Sequence, residues 1–116
     1  MIAIIDSGGA NIASGQFALE RLGAESVLTK DVKMIQSADK VLLPGVGAAP
    51  IAMQNLAEYE LIDCIRHLTQ PVMGICLGMQ LLFAVSPEGN TPLLGIFDAD
   101  CKTFTLVPLM IKYSQV

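Results

Sequence analysis

A nine-residue segment constrains the fold more than any other part of this 116-residue chain. In Val72 to Gln80, a short apolar run passes directly into a helical pattern, with Cys76 at the junction. Gly74 and Gly78 flank this cysteine two residues away on either side. In such a nucleophile elbow a buried strand bends sharply into a helix, and the glycines remove Cβ atoms that would otherwise collide. The pattern therefore predicts a thiol that points out of the fold.

An elbow of this kind predicts a reactive sulfur. A cysteine at a helix start lies near the partial positive charge of unpaired backbone N–H groups, which favours the attacking thiolate. The N–H of Leu77 would face the oxyanion that forms when a carbonyl is attacked. The alternative is that Cys76 is a small buried hydrophobe, as free cysteines usually are. The short Gly-x-Cys-x-Gly spacing leaves both interpretations open.

Strand-like and helix-like segments alternate along the first eighty residues. This alternation predicts an α/β fold, a doubly wound and mainly parallel sheet with helices on both faces. The predicted strands are 2–5, 26–29, 40–43 and the run before Cys76, and the predicted helices are 12–22, 51–56, 60–68 and 79–84, with Asp31 capping a short turn. Residues 94–97 and 104–107 are predicted as strands of a less regular region.

A second loop follows the strand at 40–43 and reads Pro44-Gly45-Val46-Gly47. Its glycines allow positive φ and leave a peptide N–H free to aim at a ligand. The alternative is a plain tight loop, which proline and glycine mark in most proteins. Because carboxyl ends of parallel strands share one sheet edge, we expect this loop to meet Cys76 there.

Composition excludes several kinds of ligand. The net charge is -4 and the basic residues are scattered, which argues against nucleic-acid binding. Residues 68–87 carry no charge, but Pro71 and three polar or glycine positions interrupt them, which argues against a membrane span. The sequence has three cysteines, none in a C-x-x-C pair, and a single histidine. This set predicts no metal site and no disulfide framework, and we expect no cofactor. No secretory signal is recognisable, so we expect reduced thiols and a cytoplasmic location.

His67 is the only candidate base for Cys76 on this chain. A histidine in the last turn of a helix is more often placed there because a cation suits the helix C-terminus. In a doubly wound fold, the end of one helix and the start of the next lie at opposite sheet edges. We therefore expect His67 to be remote from the sulfur.

The two motifs together resemble the class I (triad) glutamine amidotransferases, which have a flavodoxin-like fold. Gly74 to Gln80 is similar to the nucleophile segment of that class. Pro-Gly-Val-Gly is similar to the loop of the glutaminase subunits of imidazole glycerol phosphate synthases, a branch of the class that serves histidine biosynthesis. Asp6, Gly8 and Asn11 fall where that branch has Asp-Tyr-Gly-x-Gly-Asn, although Ser7 departs from it.

The resemblance implies a role for each matching residue. Cys76 would attack the side-chain amide of glutamine, form a glutamyl thioester and release ammonia, without a cofactor. Leu77 and the backbone of Gly45, Val46 and Gly47 would supply the oxyanion donors, and Gln80 would help to hold glutamine. Ammonia would pass to a cyclase partner with a (β/α)8 fold, towards which Gly8 and Asn11 would lie.

One departure from the family pattern changes the expected activity. The resemblance implies a histidine and a glutamate well downstream of the cysteine, but no histidine follows Cys76. We therefore expect residues 1–116 to be a single, C-terminally incomplete amidotransferase domain with little or no activity alone. The alternatives are a non-catalytic α/β interaction module and a DJ-1-like relative. The latter would need Asp6 or Glu20 near the sulfur.

Overall fold

A four-stranded parallel sheet forms the centre of the fold. The computed structural model describes residues 1–8 and 12–102. Its strands are β1 (Ile2–Ile5), β2 (Ser26–Thr29), β3 (Lys40–Gly45) and β4 (Val72–Cys76), and they lie side by side in the order β2-β1-β3-β4. Every neighbouring pair is parallel. The prediction of a doubly wound, mainly parallel sheet is confirmed, and the strand order reverses between β1 and β3.

Helices connect the strands. They are α1 (Ile12–Arg21), α2 (Val32–Ser37), α3 (Ala49–Glu58), α4 (Ile62–Arg66) and α5 (Leu77–Gln80). Asp31 caps α2 as predicted, and its side chain accepts a hydrogen bond from the N–H of Lys33 at 3.0 Å. Helix α3 begins two residues earlier than the pattern suggested. Pro50 lies in its first turn, where a missing N–H has no intrahelical partner to lose.

The two faces of the sheet are covered by different helices. Ala3, Ile5, Val41 and Leu43 pack in one buried cluster with residues of α2, α3 and α4. On the other face, Leu19 of α1 and Leu22, just beyond its end, line an apolar depression together with Leu42 and Met73. Helices therefore lie on both faces, as strands with apolar residues on both sides require.

One part of the second face is open among the described residues. Met73 and Ile75 on β4 are 62% and 41% exposed, although both belong to the sheet. The sequence is 53% hydrophobic, and these two strand residues are part of that fraction although they lie outside the buried cluster. No helix in the described part of the chain is long and apolar enough to cross a membrane.

Two expectations about the region after the elbow were wrong. The helix expected to reach Ala84 ends at Gln80, and residues 94–97 form no strand. Instead, backbone N–H groups of residues 94, 95 and 97 donate to the carbonyls of Leu81, Phe83 and Leu82, at 2.8–2.9 Å. The Ala84 N–H, which a helix reaching that residue would bond to Gln80, donates instead to the carbonyl of Ala99 at 2.7 Å. A short antiparallel pair, β5 (Val85–Ser86) and β6 (Thr91–Pro92), encloses a 3₁₀ turn between them. The strand expected at 104–107 lies outside the described residues.

Candidate active site

The junction between β4 and α5 holds Cys76 in an unusual backbone conformation. Strand β4 ends at this residue and α5 begins at the next. Its φ is 55° and its ψ is -123°, a combination that residues with a side chain rarely adopt and that costs about 1–3 kcal/mol. The cysteine is exposed. The fold therefore holds a strained backbone at an exposed cysteine, at the carboxyl end of β4.

Glycines allow the elbow to touch the neighbouring backbone. A Cβ at Gly78 would overlap the carbonyl oxygen of Leu43 and lie 2.7 Å from its carbonyl carbon. A Cβ at Gly45 would lie 2.8 Å from the amide nitrogen of Gly78. Within the elbow, a Cβ at Gly74 would lie 2.7 Å from the amide nitrogen of Met79. Real Cβ atoms do not approach backbone this closely, so a larger residue would push the elbow away from β3.

The glycine-rich loop begins beside Cys76. In the parallel register of β3 and β4, Gly45 is the direct partner of Cys76, and adjacent strands lie about 4.8 Å apart. Gly47 has a φ of 93°, which suits glycine, and Val46 is 52% exposed. Leu77 is the first residue of α5, so its N–H has no intrahelical acceptor. A thiol and two sources of backbone donors therefore share one edge of the sheet.

Gln80 lies one helical turn beyond the cysteine. It is the last residue of α5 and is half-buried. Cys76 precedes α5 and has a non-helical backbone, so the helix carries Gln80 one turn beyond the elbow. The backbone carbonyl of Gln80 accepts a weak hydrogen bond from the thiol of Cys101 at 3.5 Å.

A small pocket lies next to this edge, between the loops that follow β1 and β3. Its volume is about 170 Å³, and Gly8, Gly45, Gly47 and Asn55 are among its lining residues. Gly8 has a φ of 81°. The pocket lies at the point where the strand order reverses, which is where open α/β sheets bind ligands. Asn11, predicted with Gly8 to face a partner, lies outside the described residues.

Sequence reasoning missed two polar residues of this pocket. Ser7 is buried, and Asn55 projects from α3 towards the same loop. Ser7 follows β1 directly, so its position at the carboxyl edge could have been inferred from strand order. Asn55 gave no such signal, because one asparagine in an amphipathic helix does not indicate which loop it contacts.

His67 lies far from the sulfur, as expected. His67 follows the last residue of α4. Its Nδ1 is 2.7 Å from the carbonyl oxygen of Asp63, and its side chain is exposed. It precedes β4, whereas Cys76 ends that strand. Four residue steps along a strand cover about 13 Å, so the histidine belongs to the opposite edge of the sheet.

The acidic residues that a DJ-1-like site would need are also displaced from the sulfur. The carboxylate of Asp6 accepts from the N–H of Gly8 at 3.3 Å, in the loop after β1. Strand β3 separates β1 from β4, which corresponds to about 9.6 Å between their axes. Glu20 lies in the last turn of α1, which runs back towards the opposite edge. Among the described residues, no group of three metal-ligating side chains is present either.

The three thiols are expected to differ in their reaction with iodoacetamide under native conditions. Cys76 is exposed, Cys101 is half-buried, and burial raises the pKa of the Cys64 thiol. At neutral pH Cys64 therefore carries less thiolate and is also less accessible. We expect Cys64 to be alkylated at least about tenfold more slowly than Cys76. Timed quenching and peptide mass spectrometry measure both rates, and equal rates in the folded protein would contradict the expectation.

Comparison with known proteins places these motifs in context. Residues 3–96 match the family model described as glutamine amidotransferase class-I. A protein of Haemophilus influenzae described as imidazole glycerol phosphate synthase subunit HisH is 56% identical over 95 residues, which cover 82% of this chain and 48% of that protein. The Bacteroides fragilis protein of the same description is 50% identical over 103 residues, covering 89% and 53%. The chain spans about half the length of the curated relatives it matches.

A solved structure supports the same architecture. A crystal structure of glutamine amidotransferase superimposes with a TM-score of 0.71 over 84% of this chain and 53% of the other, at 21% sequence identity. At that identity the likeness shows the fold and no more.

Proposed function

Because the chain belongs to the class-I glutamine amidotransferase family, we propose that it supplies the cysteine nucleophile and part of the oxyanion site for glutamine hydrolysis. The family predicted from the two motifs is thereby confirmed. One observation carries the proposal: Cys76 is exposed on a strained elbow and is paired in register with Gly45 of the glycine-rich loop. That arrangement supports a role for Cys76 as a nucleophile, with donors for a developing oxyanion beside it.

The proposed reaction begins at the sulfur. The Cys76 thiolate forms a bond to the side-chain carbonyl carbon of glutamine, and the carbonyl oxygen takes up the negative charge. The N–H groups of Leu77 and of the Val46–Gly47 segment bind this oxygen, and each lowers the barrier by about 3–4 kcal/mol. The carbon–nitrogen bond then breaks, the nitrogen takes a proton and leaves as ammonia, and a glutamyl thioester remains. Gln80, one turn away, helps to hold the substrate.

A complete glutaminase cycle needs a base that moves protons to and from Cys76. His67 is the single histidine of the sequence and lies at the opposite sheet edge, so it does not serve the sulfur. We propose that residues 1–116 act as one amidotransferase unit that binds glutamine and forms the thioester, with little complete turnover alone. Loss of a catalytic group commonly leaves only small residual rates.

The pathway and the partner follow from the relatives. Two of them are described as subunits of imidazole glycerol phosphate synthase. We propose that this chain acts in histidine biosynthesis in the cytoplasm, as one half of a heterodimer whose lyase reaction uses the ammonia. Ammonia would pass to a cyclase subunit with a (β/α)8 fold through the edge that carries Gly8 and the pocket. We propose that Gly8 and Asn11 face this partner. The free thiols of Cys64 and Cys76 support a reducing compartment.

Covalent labelling tests the nucleophile. A chloroketone analogue of L-glutamine should modify Cys76, and excess L-glutamine, but not D-glutamine, should protect it. Peptide mass spectrometry locates the label, and Cys101→Ser serves as a matched variant that should label normally. Label spread over all three cysteines, or a lack of protection by L-glutamine, would contradict the proposal.

A second candidate is a non-catalytic module that only binds the cyclase subunit. The remote position of His67 favours it. This candidate predicts that unmodified chain binds the cyclase subunit but shows no protected labelling of Cys76. Isothermal titration calorimetry of the Cys76→Ala variant with the cyclase subunit measures binding without the nucleophile, and so separates binding from chemistry.

A further inference from the structure

Ser7 is a buried polar residue at the centre of the proposed site. Only 3% of it is exposed, and it lies in the loop after β1, where the strand order reverses. Its hydroxyl donates a hydrogen bond to the carbonyl oxygen of Pro44 at 3.2 Å. That carbonyl belongs to the peptide that joins Pro44 to Gly45, at the entrance of the glycine-rich loop. A side chain from the loop after β1 therefore binds the last peptide of β3, from which the glycine-rich loop continues.

Asn55 supports the same serine from the opposite side. Its Nδ2 donates to the backbone carbonyl of Ser7 at 3.2 Å. The approach is close, because a Cβ at Gly8 would lie only 3.3 Å from this nitrogen. Helix α3, the loop after β1 and the end of β3 are thus joined by two successive hydrogen bonds. Both bonds lie beside the pocket and not in the main apolar cluster.

The loop needs such an anchor. Gly45 is packed against the backbone of Gly78, but the residues beyond it have little to hold them. A Cβ at Gly47 would meet nothing within 4 Å, and the side chain of Val46 is 52% exposed. Glycine peptides rotate easily, so the direction of the Val46–Gly47 N–H groups depends on how the preceding peptide is held.

We infer that Ser7 is a positioning residue, held by Asn55, that orients the glycine-rich loop so that its N–H groups point at the oxyanion. The inference rests on the proposed function and deepens it. Ser7 does not touch the substrate, and its effect passes through the carbonyl of Pro44. Without the hydroxyl, the half-buried carbonyl of Pro44 loses this hydrogen bond, and the chain that leaves β3 towards Val46 and Gly47 is held less firmly.

Two electrophiles separate this role from a merely structural one. A chloroketone analogue of L-glutamine develops an oxyanion as the sulfur adds to its carbonyl, whereas iodoacetamide alkylates the same sulfur by displacement without one. We compare Ser7→Val with Ser7→Thr, since both add the same volume and only threonine keeps the hydroxyl. The valine variant should react with the chloroketone about tenfold more slowly than the threonine variant at saturating reagent. Their rates with iodoacetamide at Cys76 should agree within about twofold.

The outcomes are distinct from those of the proposed function. If the wild-type chain is labelled and protected by glutamine, but the two variants react equally with the chloroketone, the role of Ser7 is refuted and the proposed function stands. If both reagents slow in parallel in the valine variant, the hydroxyl only maintains the fold, and the inference is again refuted. If the wild type shows no protected labelling, the proposed function itself fails. Asn55→Leu provides a second test. Its reaction with the chloroketone should be about threefold slower than that of the wild type, and its reaction with iodoacetamide should be unchanged.

Discussion

Alanine at Gly78 is expected to destabilise the folded chain by about 3 kcal/mol or more. The added Cβ would overlap the carbonyl oxygen of Leu43, which is backbone in the middle of the sheet and has no rotamer to change. The clash can be relieved only by moving α5 away from β3, which would also displace Cys76 from Gly45. Urea denaturation followed by circular dichroism measures the change in the free energy of unfolding.

Gly15→Ala is the matched control for this substitution. Gly15 lies in the middle of α1, and a Cβ there would meet nothing within 4 Å. Alanine in an open helical position should stabilise the chain by about 0.5–1 kcal/mol, because glycine is the more flexible residue in the unfolded state. If Gly78→Ala unfolded at the same urea concentration as the wild type, the close contact between the elbow and β3 would be wrong.

The second large effect is expected at Cys76, where two substitutions should abolish the chemistry alike but differ in stability. Cys76→Ala and Cys76→Gly should both lose protected labelling by the glutamine chloroketone, by about 10³-fold or more, because the nucleophile is gone. The glycine variant should nevertheless be about 1 kcal/mol more stable than the alanine variant. Glycine tolerates a φ of 55° with a ψ of -123°, whereas alanine keeps the Cβ that strains this conformation. The greater flexibility of unfolded glycine offsets part of the gain.

Comparing the alanine and glycine variants isolates the effect of backbone strain on the free energy of unfolding, since neither variant carries the sulfur. Chemical denaturation gives the stability difference, and mass spectrometry gives the labelling. An alanine variant at least as stable as the glycine variant would show that the elbow stores no strain. Cys101→Ser should leave labelling of Cys76 unchanged, which confirms that the loss follows from this sulfur alone.

The family and the sheet could be predicted because their signals are local. The strand bounds 2–5 and 26–29 follow from short apolar runs between turn residues, and the structure has them unchanged. Glycine spacing around Cys76 predicted a sharp turn, and the predicted capping of α2 by Asp31 also depends on neighbouring residues only. Each of these features is decided by residues within a few positions of one another.

The region after the elbow could not be predicted in the same way. The apolar residues 81–84 suit a helix, and 94–97 suit a strand, so each segment was assigned its intrinsic preference. In the structure the two segments bond to each other, and neither preference is realised. Hydrogen bonds between backbone groups more than ten residues apart depend on how the chain returns to the sheet, which periodicity does not encode.

The amino-acid sequence by itself determined where the chain bends at Cys76 and which glycines allow it, because both follow from residue types at fixed spacing. Only the tertiary structure decided what those glycines touch and what holds the opposite loop. Gly78 meets Leu43, and Ser7 meets Pro44, because the strand order β2-β1-β3-β4 brings distant carboxyl ends to one edge. Contacts across a sheet depend on strand order and register, which are set by the packing of the whole layer.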